Sequence, residues 1–304
     1  MKNSRKNRSW SQYNKNLVNR GSITFWMSKD SIKKWKASRD KKHIGRPFLY
    51  SNEAILLAHS IRYVYNLPLR ALEGFLNSLF SLLHLSISSP CYTQICRRAK
   101  SLSLPSKLRS KKPITDIVFD ASGLKVFGEG EWKVRTHGTS KRRNWKKIHI
   151  GIDPDTQEIL LSELTENNGS DIDVVINLLD QLPSIGDVYG DGLYDAERIY
   201  KIIWKLGGRP LVPIKKNVRY KQPSKPWLKS RDDQLDIVKG FGGDEIARSL
   251  WKKLSGYHRR SLVETAFSRW KKLLGSELRS RKMENQIVES KIKCQILNKM
   301  RLIS

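Results

Sequence analysis

The sequence predicts an α/β domain, a mixed sheet covered by helices, preceded by a small, basic, mainly helical region. Three observations carry that expectation. The net charge is +29 and uneven, with 23 basic against 4 acidic residues in positions 1–112 and 35 against 25 in the remaining 192. A Ser/Lys/Pro-rich stretch, Ser101–Lys112, separates the two parts. Beyond it the apolar pattern changes from helical spacing to short β-type runs, then to alternating helix and strand. The expected division is therefore residues 1–112 and 113–304. Apolar residues make up 38% of the chain and nine are tryptophan, enough for a core and against wholesale disorder. An excess of cations this large suits a polyanion, because each neutralised phosphate releases counterions. Nucleic acid is the first candidate and an anionic membrane surface the second.

Residues 1–46 are polar and basic with aromatic anchors at Trp10, Tyr13, Phe25, Trp26 and Trp35, and Asp30 could open a short helix. Ser51 caps a helical pattern that runs to Tyr65 and is interrupted by Pro68. Leu69–Leu82 reads as a second helix and Pro90–Arg98 starts a third. Three short helices with a basic end fit a helix-turn-helix-like module, as they fit many other helical bundles. After the linker, Ile114–Asp120 reads as a short buried strand, and Trp132–His137 and Lys146–Gly151 alternate like strands. Asp153–Gln157 is a turn before the strand Ile159–Leu164. Asp171–Leu182 is an amphipathic helix, Ile185–Tyr189 a strand, Asp195–Leu206 a helix closed by Gly207-Gly208, and Arg209–Ile214 a strand. Lys215–Lys239 shows no periodicity, and helices are expected at Arg259–Leu274 and Glu284–Met300.

The cysteines, Cys91, Cys96 and Cys294, are odd in number and lack CxxC spacing, which disfavours a disulfide framework or zinc ribbon. The first ten residues lack the apolar stretch of a signal peptide. The longest apolar-leaning run, Phe75–Ser88, is too short to span a bilayer. A cytoplasmic, soluble protein with no membrane partner is expected.

Candidate chemistry begins on the late helix. At about 100° per residue, Tyr257, Arg260, Glu264 and Lys271 share one stripe, beside an apolar face of Val263, Ala266, Phe267, Trp270, Leu273 and Leu274. Such a helix can line a cleft with a carboxylate flanked by cations, and a solvated face with i, i+4 ion pairs has the same spacing. Asp120 follows Ile117-Val-Phe and Asp191 follows Asp187-Val-Tyr-Gly, each at or near a strand end, where α/β sheets place ligand sites. Either alone could be a turn-former. With Glu264 they suggest a three-carboxylate site of hard oxygen ligands suited to Mg²⁺ or Mn²⁺, two ions of which can drive phosphodiester transfer. Lys133, Arg135, His137, Lys141, Arg142, Arg143, Lys146, Lys147 and His149 crowd 17 positions with Trp132 and Trp145. A basic hairpin of this kind can track DNA, and a solvated edge hairpin can carry similar charge. Asp195 reads as a helix cap, Asp153 and Asp155 as turn residues, and Asp171 and Asp173 as the start of a helix.

The segments Asp120–Gly138, Tyr189–Asp195 and Gly256–Gly275 resemble the three blocks of bacterial DDE insertion-sequence transposases, nearest the insertion sequence 5 family in its nine-oh-three-like subgroup. Tyr13–Trp26, Arg62–Phe75 and Leu297–Met300 are similar to the same subgroup, so the resemblance spans nearly the whole chain. It implies an RNase H-like catalytic domain with a five-stranded mixed sheet. Asp120, Asp191 and Glu264 would be its catalytic, metal-holding acids, binding Mg²⁺ or Mn²⁺ as two ions per site. Tyr257, Arg260 and Lys271 would contact DNA at the transposon end. It also implies cleavage at terminal inverted repeats and strand transfer into target DNA, both double-stranded, by a homodimer or higher synaptic complex at the nucleoid. The chain ends soon after Met300, which keeps a catalytically inactive, transposase-derived DNA-binding protein open as the alternative. A structural basic protein of the nucleoid or ribosome would match the charge without needing the three acids.

Overall fold

Residues 9–38, 47–105, 107–108, 115–126, 145–215, 220 and 225–302 are described by the computed structural model. The chain divides into two units, Met1–Leu104 with Lys282–Ser304, and Pro105–Arg281.

In the first unit the expected helices form where their caps predict. Ser51 Oγ accepts from the Ala54 amide at 3.0 Å and opens α4 (Asn52–Val64). Helix α5 is Leu69–Leu82, and α6 is Tyr92–Ala99, where the Gln94 side chain reaches back to the Cys91 amide at 3.3 Å. These three pack on one another, and Ile55, Ile61, Leu72, Leu76, Phe80 and Ile95 are fully buried. Ahead of them lie α1 (Trp10–Arg20), α2 (Ile23–Trp26) and α3 (Lys29–Lys33). The sequence reading anticipated only α3. Helix α1 buries none of its residues, so it has no core-facing stripe to read.

The second unit is built on a mixed sheet. Its strands are β1 (Ile117–Val126), β2 (Trp145–Ile152), β3 (Ile159–Glu166), β4 (Asp187–Tyr189), β5 (Arg209–Leu211) and β6 (Glu277–Leu278). The spatial order is β3-β2-β1-β4-β5. The first three strands are antiparallel, whereas β4 and β5 run parallel to their neighbours. This is the RNase H-like arrangement expected, with one addition. The two-residue β6 pairs with the far end of β1, making six strands rather than five. Strand β1 starts at Ile117, later than expected, and runs further, because Ala121–Lys125 continue its ladder with β2 and Val126 pairs with Leu278 of β6. Helices α7 (Asp171–Leu179) and α8 (Glu197–Lys205) bury Val175, Leu178, Leu179, Ile199, Ile202 and Ile203 against Ile117, Phe119 and Val188. The late helix is α11 (Ser261–Leu274), and its buried residues are Val263, Ala266, Phe267, Trp270 and Leu274, while Leu273 is exposed.

Two differences have clear causes. The stretch taken as irregular holds α9 (Lys229–Gly240), followed by α10 (Glu245–Leu254). Their shared core is only Val238, Ala247 and Trp251, with Tyr257 against it, and α9 also buries the polar Arg231 and Gln234, which blur its helical period. The last helix, α12 (Met283–Arg301), belongs to the first unit, whereas the expected division at 112 assigned it to the second. It packs on α4 and buries polar as well as apolar side chains, including the ion pair Lys293–Glu289 at 3.0 Å. Among the described residues, no helix is long and apolar enough to cross a membrane.

Candidate active site

Strand register brings the two aspartates together. The β1–β4 ladder ends with Val118 opposite Tyr189. Asp120 and Asp191 each lie two residues beyond that pair, so parallel pairing sets them at the same level. On this side of β1 the next pairing is Lys125 with Glu277 of β6. The carboxylates therefore sit where one neighbouring strand has ended and the next has not begun. Asp120 is in the body of β1, opposite Ile150 of β2, rather than at a strand end. Alternation along β1 sends Phe119 into the α7–α8 core and places Asp120 and Ser122 on the other face.

Helix α11 crosses that other face. Tyr257–Arg260 form a 3-10 turn before it, so the helix begins two residues later than the sequence pattern suggested. Arg260 bridges two acids: its Nη2 donates to Asp120 Oδ2 at 2.9 Å and its Nη1 to Glu264 Oε1. Tyr257 stacks near Trp251, at 5.7 Å between ring centroids, and donates to the Gly190 carbonyl at 3.1 Å. Lys271 Nζ donates to Ser122 Oγ at 2.8 Å, two residues along β1 from Asp120. Asp191 Oδ1 accepts from the Leu193 amide at 2.9 Å and caps the 3-10 turn Gly192–Tyr194. Gly190 keeps that turn tight, since a Cβ there would meet the Tyr194 ring at 2.8 Å.

The electrostatics show how closely these groups are coupled. Burial raises the Asp120 carboxyl above its ordinary range; Arg260 opposes the shift, while the charges of Asp191 and Glu264 add to it. Burial also pushes the Tyr257 hydroxyl up to about 12, with further upward contributions from Asp191, Asp120 and Glu264. Tyr257 is thus a neutral donor at physiological pH. Tyr194 is raised by burial and then by Asp120 and Asp191. A cluster of like charges around a half-buried carboxylate invites a cation, and Arg260 meets that demand here. Three carboxylates are suitable donors for a hard divalent ion. As they stand, however, no group of three or more His, Cys, Asp or Glu among the described residues is gathered into a metal site.

Other candidates are placed differently. Lys146 and Lys147 lie on β2 and hold acids of their own chain, Glu166 at 2.5 Å and Asp171 at 2.8 Å. His149 is buried, and burial lowers its pKa to about 4, so it is neutral at physiological pH and adds no positive charge for a phosphate. Lys133, Arg135, Arg142, Arg143, His137, Lys141 and the strand Trp132–His137 lie outside the described residues. Asp195 does not cap the helix that follows, whose N-cap is Ala196. It is buried, paired with Arg231 at 3.0 Å, and also accepts from Tyr200 and the Lys215 amide. Asp153 does shape its turn, accepting from the Asp155 and Thr156 amides.

Sequence reasoning missed Arg259. Its guanidinium holds Asp116 at 3.0 Å and Asp155, and reaches the Tyr189 hydroxyl at 3.5 Å. Asp116 in turn accepts from the Asp187 amide at 3.0 Å, so Arg259 ties the α11 entry to the strand ends beside the carboxylates. Neighbouring arginines in a Tyr-His-Arg-Arg run give no sign of which one faces which acid.

Residues 111–298 match the family described as Transposase DDE domain, and residues 18–129 match a second family of the same description. Among solved structures, the chain is similar to the piggyBac transposase synaptic complex with hairpin DNA, at 11% identity over 93% of this chain and 73% of that one, TM-score 0.45. It is also similar to the Drosophila P element transposase strand transfer complex, at 13% identity over 95% of this chain and 70% of that one, TM-score 0.33.

Proposed function

From the premise that this chain belongs to the DDE transposase family, as the match over residues 111–298 shows, we propose that it cleaves DNA at the terminal inverted repeats of an insertion sequence and joins the freed ends to target DNA. Asp120, Asp191 and Glu264 are the catalytic acids in this reading. The single observation that carries it is the β1–β4 register, which levels Asp120 with Asp191, together with the Arg260 bridge from Asp120 to Glu264.

In the first step water attacks phosphorus, the P–O3′ bond breaks, and a 3′-OH is released. In the second, that 3′-OH loses its proton and attacks a target phosphodiester, the target P–O3′ bond breaks as the new P–O bond forms, and a target 3′-OH is released. The three carboxylates would hold Mg²⁺ or Mn²⁺, as two ions, which when bound supply Lewis acidity to the attacking and leaving oxygens. The chain's own residues orient the DNA. Arg260 exchanges its carboxylate contacts for the scissile phosphate, a planar fork suited to two phosphate oxygens. Lys271, held at Ser122, adds positive charge along the same strand face. Tyr257, kept protonated, offers a ring edge and a neutral donor. Lys133, Arg135, Arg142 and Arg143 supply further phosphate contacts. Lys146 and Lys147 would join them only by leaving their acids.

The helices of residues 1–112 bind the inverted repeats. Within the family, the resemblance of Asp120–Gly138, Tyr189–Asp195 and Gly256–Gly275 supports a reading nearest the insertion sequence 5 group. A cytoplasmic protein acting at the nucleoid is the setting this implies. The test is Mg²⁺- and Mn²⁺-dependent cleavage of linear DNA carrying the element's own repeats, by wild type beside Asp120→Asn. Cleavage by wild type alone is expected. Binding by both with cleavage by neither would overturn the enzymatic reading and leave an inactive DNA-binding descendant.

A further inference from the structure

One side chain joins the three segments that carry the three acids. Tyr257–Arg260 form a 3-10 turn, in which successive side chains point about 120° apart. Arg260 faces Asp120 and Glu264, whereas Arg259 faces the side on which β1 begins. Its Nη1 donates to Asp116 Oδ2 at 3.0 Å and reaches the Tyr189 hydroxyl at 3.5 Å, and its Nη2 donates to Asp155 Oδ1. The guanidinium also lies 5.6 Å from the centre of the Tyr189 ring. Asp116 directly precedes β1, four residues ahead of Asp120. Tyr189 ends β4, two residues ahead of Asp191. Helix α11 begins two residues after Arg259 and carries Glu264 in its first turn. The other oxygen of Asp116, Oδ1, accepts from the Asp187 amide at 3.0 Å, so β1 and β4 are tied to each other at the point where Arg259 ties both to α11.

These ties are unequal. The Asp155 side chain is 71% exposed and its contact is screened, whereas those of Arg259 and Asp116 are 25% and 21% exposed and hold more firmly. We propose that Arg259 is a positioning residue for the site: through Asp116 and Tyr189 it fixes the entry of α11 against β1 and β4, and so sets the reach from Glu264 to Asp120 and Asp191. This rests on the reading of those three as the acids that hold the metal ions. Ions bound among them would release Arg260 to the phosphate, and the turn would lose its contact with Asp120. Asp116 lies outside that trio, so Arg259 has no such substitute and stays on its acids. With the Tyr257 hydrogen bond to the Gly190 carbonyl, at 3.1 Å, it holds the turn in place while Arg260 moves.

Mn²⁺ titration of the full chain without DNA, followed by electron paramagnetic resonance, tests this beside cleavage kinetics. Arg259→Gln removes a positive charge, which by itself tightens cation binding, and loosens the acids, which weakens it, so the two effects have opposite signs. Mn²⁺ binding weaker by about tenfold is expected, the scale on which outer partners of metal ligands act. In cleavage, kcat is expected to fall about ten- to a hundredfold with KM for DNA unchanged, the pattern of a group that does not bind substrate. Arg259→Lys, which can hold Asp116 without spanning to Asp155, is expected to lie between wild type and Arg259→Gln. Asp116→Asn, which keeps an acceptor for the Asp187 amide, is expected to lower kcat as Arg259→Gln does. Mn²⁺ binding by Arg259→Gln as tight as wild type or tighter would overturn the proposal, as would wild-type kcat in Asp116→Asn. So would a loss of DNA affinity in Arg259→Gln with its salt slope reduced by about one, the mark of a direct phosphate contact. If Arg259→Gln does not fold, the same comparisons are read on Arg259→Lys. A wild type that binds Mn²⁺ without cleaving DNA fails the cleavage reading alone, and the Mn²⁺ comparison still decides this one.

Discussion

Replacing Arg260 with Gln removes the guanidinium that touches both Asp120 and Glu264. The Arg260 and Asp120 side chains are 23% and 17% exposed, whereas that of Glu264 is 57% exposed. Unit charges about 4 Å apart attract by about 4 kcal/mol at an effective dielectric near 20, and by about 1 kcal/mol in water. The Asp120 contact lies nearer the first figure, and the Glu264 contact is discounted toward the second because solvent screens it. A divalent cation entering among these acids either displaces the guanidinium or sits beside its charge, and both oppose binding. Loss of Arg260 should therefore favour the metal by about 1–3 kcal/mol, a gain of about ten- to a hundredfold in affinity. Titration with Mn²⁺, followed by electron paramagnetic resonance on the full chain without DNA, reads this directly. Tighter Mn²⁺ binding in Arg260→Gln, with cleavage reduced because the phosphate has lost its fork, is the expected pattern. Unchanged or weaker Mn²⁺ binding would refute the idea that Arg260 stands in for the cation.

Two further predictions concern stability. Arg231→Ala strands the Asp195 carboxylate, whose side chain is 2% exposed, and should lower unfolding free energy by about 3–5 kcal/mol; a loss below about 1 kcal/mol by urea titration would show the pair is not a structural tie. His149 is buried with its pKa lowered to about 4, so its contribution is complete above its unfolded value near 6.5 and is lost as pH falls toward 4. About 3 kcal/mol of acid sensitivity follows from that span. A His149 ring that titrates near 6.5 by NMR in the folded protein would contradict this.

The parts of the fold legible in the sequence are those whose local signals and burial agree. Ser51 begins a helix both by its hydroxyl and by the apolar stripe that follows, and α5 repeats the same consistency. The order of strands and helices from β1 to β5 was readable for the same reason. Helices α9 and α10 were not, because half of their apolar residues face outward and their mutual core is three residues. The docking of α12 on α4 was hidden by polar residues at its buried positions, Gln286, Glu289, Ser290 and Lys293, which blur a helical stripe. At the site, residue types and spacing named the carboxylates. No spacing, however, could show that Asp120 and Asp191 are levelled by a parallel ladder that stops two residues short of both.

The division of charge in the second unit follows from the same geometry. Many of its acids are held by cations of the same chain: Glu166 by Lys146, Asp171 by Lys147, Asp187 by Arg209, Asp195 by Arg231, and Asp116 and Asp155 by Arg259. The one-to-one pairs among them are neutral and leave the net excess of cations undiminished for a polyanion, whereas Arg259 with its two acids carries one net negative charge. Asp120 and Glu264 share the Arg260 guanidinium as Asp116 and Asp155 share that of Arg259, but at Asp120 the nearby Asp191 adds a third negative charge. Two or three carboxylates on one cation leave a local deficit of positive charge within a strongly basic protein. A DNA phosphate approaching the basic surface would be repelled at that spot unless further cations came with it. The same deficit that makes the site hostile to bare phosphate makes it receptive to divalent ions. Metal and DNA should accordingly bind with positive coupling, each tighter in the presence of the other, with Arg260 passing from carboxylates to phosphate as the ions take its place.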